Sequence, residues 1–252
     1  MTDPSAALAP VLIAAREGAR LASFSPALIP ESLAGAMRVQ REVAQAIGAK
    51  VGGWKVGYMP DGTPVAGPLC AADMHESGAR LRHGPLRKSG IEVEIAILLA
   101  RDLPPRPGKP YGRDDILAAT AAVLAGVEIV ASRFPDPPKP PFLAILADNI
   151  GNGGYVRGAE TGEFAKLDLA RLRARLVIDG RVTHDAVGGH AKGDPLLPVI
   201  DYANGPCDLL GGLRAGQLVT TGTLSGCPYV EGAASITVEI EGLGEVNLII
   251  EQ

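Results

Sequence analysis

The most constraining stretch of this 252-residue chain is "SGIEVEIAILLARDL", residues 89–103. As an extended strand it sends Ile91, Val93, Ile95, Ile97 and Leu99 to one face, and Glu92, Glu94, Ala96 and Leu98 to the other. Beyond the two glutamates both faces are apolar, the pattern of a strand covered on both sides. A chain with such a strand needs a layered sheet with material on each face. The two carboxylates then stand side by side at the mouth of an apolar core, where mutual repulsion and lost hydration both cost free energy.

From residue 51 onward, short apolar segments are punctuated by Gly and Pro, of which the chain holds 32 and 21, while aromatic residues make up only 4%. That balance suits many short strands and tight turns. The pattern predicts strands near 52–58, 91–101, 126–133, 172–178, 181–184, 217–222, 234–240 and 245–251. "IDGRV" (178–182) carries the Asp-Gly hairpin signal, and "EIEGLGEVNLII" (239–250) reads as a second hairpin. Residues 5 to about 47 read as helical, with breaks at Pro10, "SFSP" and Pro30; isolated helices are predicted at about 113–125, 141–149 and 194–204. "FPDPPKPPF" (134–142) is too proline-rich for either element. Regular βαβ alternation is absent, which disfavours doubly wound and TIM-barrel folds. The expectation is an α+β fold dominated by β, with a helical N-terminal segment (1–50) and a β-rich body (51–252) forming one structural unit.

Composition excludes some functions. A net charge of -4 with no Lys/Arg cluster speaks against gripping nucleic acid or anionic lipid. Cys70, Cys207 and Cys227 are odd in number, widely spaced and lack a CxxC, so reduced thiols are expected rather than a disulfide framework or thiolate zinc site. The first 24 residues lack the basic and apolar regions of a signal peptide, and no run reaches the ~18 apolar residues of a membrane span. A soluble cytoplasmic protein is expected.

The chain contains its own control for the glutamate pair. Glu239 and Glu241 share a polar face with Ser235 and Thr237, so solvation accounts for them. For Glu92 and Glu94 alone, an exposed strand start is as good a reading as a cation site. Glu128 in "GVEIVASRF" adds a third acid inside an apolar strand, after a helix predicted to end near Gly126. Three carboxylates without clustered His or Cys describe an oxygen-only site, which fits magnesium or manganese and disfavours zinc. Lys55 in "GGWKVGYMP" admits two readings, a partly desolvated ammonium or a snorkelling surface side chain, and its neighbours alone favour the surface. His75, His83, His184 and His190 are scattered, so structural or solvated roles are the default. "GNGG" (151–154) and "GGHAKGDP" (188–195) match neither a Walker loop nor a dinucleotide fingerprint.

"GGWKVGYM", "GPLCAADM", "SGIEVEIAILLARDL", "GVEIVASRF", "ADNIGNGGYVRG", "GDPLLPVIDYAN" and "LRAGQLVTTGTLSG" occur in the order of one family. From about residue 35 onward the chain resembles the 2-keto-4-pentenoate hydratase and 4-oxalocrotonate decarboxylase group, within the fumarylacetoacetate hydrolase superfamily. The resemblance implies a β-rich roll of stacked sheets and an Mg2+ or Mn2+ ion held by Glu92, Glu94 and Glu128. It also implies an acid–base Lys55, an active-site Asp73, and substrate contacts at Asn149 and Thr223. The implied activity is metal-dependent hydration of 2-hydroxypenta-2,4-dienoate-like compounds to 4-hydroxy-2-oxo acids in aromatic catabolism. The implied partners are a small 2-oxo or 2-hydroxy acid, further copies of the chain in a homo-oligomer, and a pathway decarboxylase or hydratase. A 4-oxalocrotonate-type decarboxylase is the alternative, followed by an acylpyruvate hydrolase or a non-catalytic partner subunit. Two positions depart from the family pattern: Gly151 stands where relatives carry serine in D-N-x-S, and Ala131 where they often carry aspartate in "EIVDSR".

Overall fold

Two β-sheets carry the apolar alternation of the sequence, with helices packed at their margins. The computed structural model describes residues 5–16, 21, 23–82, 88–135, 139–205 and 208–251, so His83, Cys207 and part of the proline-rich stretch lie outside the described residues. Helices α1 (Ser5–Arg16) and α2 (Leu33–Ala46) precede β1 (Val51–Tyr58), β2 (Pro64–Cys70), β3 (Met74–Glu76), β4 (Ala79–Arg82) and β5 (Ser89–Leu99). Next come α3 (Arg113–Ala119), β6 (Thr120–Val130), α4 (Phe142–Ala147), β7 (Asn152–Arg157), β8 (Arg173–Ile178) and β9 (Arg181–Val187). The chain continues through α5 (Leu197–Asn204), β10 (Leu218–Thr223), β11 (Tyr229–Val230), β12 (Ala234–Ile240) and β13 (Gly244–Glu251).

The larger sheet runs β2-β1-β10-β5-β6-β7-β3, with β11 also paired to β5; the smaller runs β4-β13-β12-β8-β9. β5 lies centrally, antiparallel to both β10 and β6. One face of β5 packs Ile91, Val93, Ile95, Ile97 and Leu99 into a core with Leu176, Ile236, Val238 and Leu248 of the smaller sheet. On the opposite face Ala96 joins Leu69, Leu124, Tyr155 and Leu218 in a second core. A third core fixes the N-terminal helices, as Leu8, Leu12, Val39 and Val43 pack on Val65, Phe134 and Leu146. Gln40 pins α2 in place by donating to the carbonyls of Ala66 (3.1 Å) and Leu146 (2.6 Å). The strand expected to be covered on both faces is covered on both faces.

The two predicted hairpins form. Asp179 and Gly180, at φ 49° and 75°, close β8–β9 in the left-handed conformations that a two-residue hairpin demands. β12–β13 pairs from Ala234–Ile250 to Ile240–Gly244. The predicted helix 113–125 is corrected: α3 ends at Ala119, and "TAAVLAGVEIV" is strand throughout. Ladder pairing of Ala122 with Leu98 and Leu124 with Ala96 overrides the helical preference of the alanines. β2 went unpredicted because Pro64 and Pro68 interrupt it, and an edge strand is where a sheet tolerates proline. β7, and the short β3, β4 and β11, lack an alternation long enough to read. Among the described residues no helix is long and apolar enough to cross a membrane.

Candidate metal centre

Strand register assembles the carboxylates. Glu92 on β5 stands opposite Glu128 on β6, which stands opposite Tyr155 on β7; in the next row Glu94 faces Gly126. Directly paired residues share a sheet face, so Glu92, Glu94, Glu128 and Tyr155 point the same way. Oxygens of the three glutamates lie within 4.8 Å of one another. Glu94 and Glu128 are fully buried and Glu92 is partly buried. Like charges placed this close destabilise the sheet unless something compensates them.

Part of the compensation is Lys55. Its Nζ lies 2.8 Å from Glu128 Oε1 and 3.3 Å from Glu92 Oε2, and donates toward the Ile150 carbonyl at 3.4 Å. The side chain is buried, so the surface position favoured by its sequence neighbours is corrected. The physical reason is that β1 is not an edge: β2 and β10 flank it, and Gly67 of β2 stands beside Lys55. A Cβ on Gly67 would lie 2.6 Å from the Asn149 carbonyl oxygen, so glycine there admits the segment that seals the lysine in.

That segment is bent unusually. Asn149, Ile150 and Gly151 have φ of 55°, 55° and 72°, a left-handed run that costs a β-branched residue about 1–3 kcal/mol. Fully buried Asp148 anchors it, accepting from Arg133 N (2.8 Å) and Ser132 Oγ (3.2 Å) and facing the guanidinium groups of Arg133 (3.4 Å) and Arg16 (3.7 Å). Asn152 follows and donates its amide to Glu128 Oε1 at 3.0 Å. Asn152 lies one residue beyond Gly151, the position at which the family pattern carries serine.

One ammonium against three carboxylates leaves the ionised cluster negative. Burial raises Glu94 well above the ordinary carboxylate range, with Glu128 and Glu92 adding to the effect and Lys55 opposing it. Burial also raises Glu128, although Lys55 pulls the other way. For Lys55, desolvation alone lowers the pKa, but Glu128, Glu92 and Glu94 together raise it, so the ammonium keeps its proton. Among the described residues, both oxygens of Glu94 and Oε2 of Glu128 have no hydrogen-bond partner. Converging, unsatisfied, hard oxygen donors fit a divalent cation of the magnesium or manganese kind.

The remaining candidates lie at the margins. Asp73 is exposed and lines a cleft of about 290 Å³ with His75, Arg80 and Arg82; it has no ion pair with Lys55 among the described residues. Asn149 is buried, and its Oδ1 has no partner among the described residues. Thr223 pairs in register with Glu94, while its hydroxyl donates to the Gly226 carbonyl at 2.7 Å. Cys227 is partly buried against Gly90, and burial, then the Glu92 charge, pushes its thiol up to about 12, which makes it a poor nucleophile. His190 is buried with Nε2 2.8 Å from the Thr221 carbonyl, a structural role. Tyr155 and Thr220 escaped the sequence reading, since only cross-strand register brings them beside the carboxylates.

Fold and cluster define a class: a β-rich, two-sheet enzyme whose centre is built of hard oxygen donors and one buried ammonium. No protein-family model matches the chain. It is 30% identical over 218 residues to the 2-keto-4-pentenoate hydratase of Paraburkholderia phymatum, covering 83% of this chain and 82% of that protein. It is 29% identical over 204 residues to a 4-oxalocrotonate decarboxylase of Pseudomonas putida, covering 80% and 76%. The solved 4-oxalocrotonate decarboxylase of Pseudomonas putida G7, complexed with magnesium and adipate, matches with a TM-score of 0.84 and 26% identity over 98% of this chain and 97% of that one. The chain belongs to the 2-keto-4-pentenoate hydratase and 4-oxalocrotonate decarboxylase family of the fumarylacetoacetate hydrolase superfamily.

Proposed function

We propose that the chain is a metal-dependent hydro-lyase that adds water to 2-hydroxypenta-2,4-dienoate-like substrates, giving 4-hydroxy-2-oxo acids. The observation that carries this is the buried set of Glu92, Glu94 and Glu128, with unsatisfied oxygens and a single ammonium beside them. These three would hold Mg2+ or Mn2+, the former also present in the related decarboxylase structure. When bound, such an ion supplies Lewis acidity toward the oxygens of a 2-oxo acid.

The chain's own residues supply the rest. Lys55 holds its proton at Nζ through its carboxylate neighbours and so would serve as positive charge for a developing anion; acid–base work at Nζ would need a bound cation to draw those carboxylate charges away first. Asn152 holds Glu128 in orientation, and the Ile150 carbonyl steadies the ammonium. Asp73, in its open cleft, would order water or relay a proton to solvent. Asn149 offers an unpartnered amide oxygen, and Thr223 a hydroxyl that would exchange the Gly226 carbonyl for a substrate carboxylate.

A decarboxylase of 4-oxalocrotonate type is the second reading, favoured by the near-complete structural match to one. Purified protein with Mg2+ or Mn2+ is given 2-hydroxypenta-2,4-dienoate and 2-oxohex-3-enedioate separately. Loss of diene absorbance with the first, without carbon dioxide from the second, is expected. Carbon dioxide release from the second selects the decarboxylase, and turnover of neither by metal-loaded protein overturns both.

A further inference from the structure

The buried polar atoms around the carboxylates that have no hydrogen-bond partner among the described residues include two hydroxyls, Tyr155 Oη and Thr220 Oγ1. Tyr155 is fully buried, its ring packed among Leu69, Ala96, Leu124 and Leu218. Its position on β7 stands opposite Glu128, but its ring leans along the sheet: a Cβ built on Gly126 would lie 1.8 Å from Oη. Gly126 is the register partner of Glu94. The phenol hydroxyl therefore fills the slot that a side chain at 126 would occupy, in the cross-strand row of Glu94. The two charges acting on it most strongly are Glu94 and Glu128, in that order. Thr220, fully buried on β10, faces Ala96 and lies close enough to Glu94 to favour its charged form.

A buried tyrosine hydroxyl ordinarily has a partner, and leaving one unmade is costly. In that row, both oxygens of Glu94 are equally unsatisfied among the described residues. We propose that Tyr155 is a positioning residue for Glu94: its hydroxyl donates to the carboxylate oxygen turned away from the cation, with Thr220 serving the same carboxylate from β10. The inference rests on Glu94 being a cation ligand. A donor on the outer oxygen fixes the plane and rotamer of the ligating carboxylate, as partners behind metal ligands do generally. A neutral hydroxyl does this without cancelling the negative charge that attracts the ion, which a second lysine there would do.

The test titrates metal-free protein with Mn2+ by calorimetry for wild type, Tyr155→Phe, Thr220→Val and Glu94→Gln, alongside thermal melts without metal. Tyr155→Phe is expected to weaken Mn2+ binding about tenfold or more, with an unchanged or higher metal-free Tm. Loss of Mn2+ binding in Glu94→Gln with wild-type affinity in Tyr155→Phe overturns the inference and leaves the ligand assignment standing. Wild-type affinity in Glu94→Gln overturns both. If Tyr155→Phe does not fold, the wild-type protein still decides: Mn2+ is expected to perturb a tyrosine absorption band, and a flat difference spectrum overturns the proposal.

Discussion

Glu92 and Glu94 on β5, and Glu239 on β12 with Glu241 in the turn after it, share their spacing, but only the first pair enters a core. Glu239 is exposed, opposite Glu245 on β13 and Arg175 on β8, and Glu241 is exposed where the hairpin turns. Water screens those charges, and their cross-strand neighbours include a cation. The β5 pair faces a buried like-charged partner across the strand, and the core on its own face of the sheet holds Tyr155, Leu69 and Leu124. Spacing of acids along a strand carries no chemistry by itself; the layer packed over them decides what they can do.

The largest expected difference between the pairs is in metal binding. Glu94→Gln is expected to weaken Mn2+ by roughly 100-fold or more, beyond the usual 10–100-fold for a partner behind a ligand, and Glu239→Gln to leave it unchanged, both read by calorimetry. The core itself is broken by Gly126→Ala, whose methyl would collide with Tyr155 Oη; about 1–3 kcal/mol of overpacking is expected in chemical denaturation. Gly57→Ala in β1, whose added Cβ would meet no described residue beyond its chain neighbours within 4 Å, is its counterpart and should be neutral or slightly stabilising.

A third contrast is in pH. Glu94 is raised above its ordinary value, so metal-free protein suffers no penalty below about pH 4.3 and loses stability progressively as pH climbs from there toward the elevated value. Lys55, raised from an already high value, keeps its stabilising charge throughout that window. A cation must displace the Glu94 proton, so Mn2+ affinity should fall with falling pH by up to about tenfold per unit, measurable by titration between pH 8 and 5. In Glu94→Gln the stability dependence should shrink and the metal-free melt rise. Smallest of all, Glu239→Gln should change stability by no more than about 0.5 kcal/mol at any pH, as surface substitutions do.

Much of this was legible beforehand because period-2 alternation is a local property. β5, the hairpin at Asp179–Gly180 and the solvated Glu239 pair could each be read from side-chain order alone. What failed depended on partners far away in sequence. "TAAVLA" is a good helix until Leu98 and Ala96 offer it a ladder, and Lys55 looks like a surface residue until β2 and β10 enclose its strand. Tyr155 and Thr220 carry no sign of their position, since residues 94, 126, 155 and 220 meet only through register. The carboxylates announced themselves because charge inside an apolar strand is anomalous in any context; hydroxyls there are not.

The left-handed turn at Asn149–Gly151 bears on any attempt to move this centre elsewhere. The Ile150 group that touches Lys55 is a main-chain oxygen, so no substitution at position 150 deletes that contact. Copying Lys55, Glu92, Glu94 and Glu128 into another scaffold would transplant the side chains and leave the ammonium one acceptor short. The transferable unit is the four side chains together with the turn, the buried Asp148 that braces it and the glycine at 67 that lets it approach.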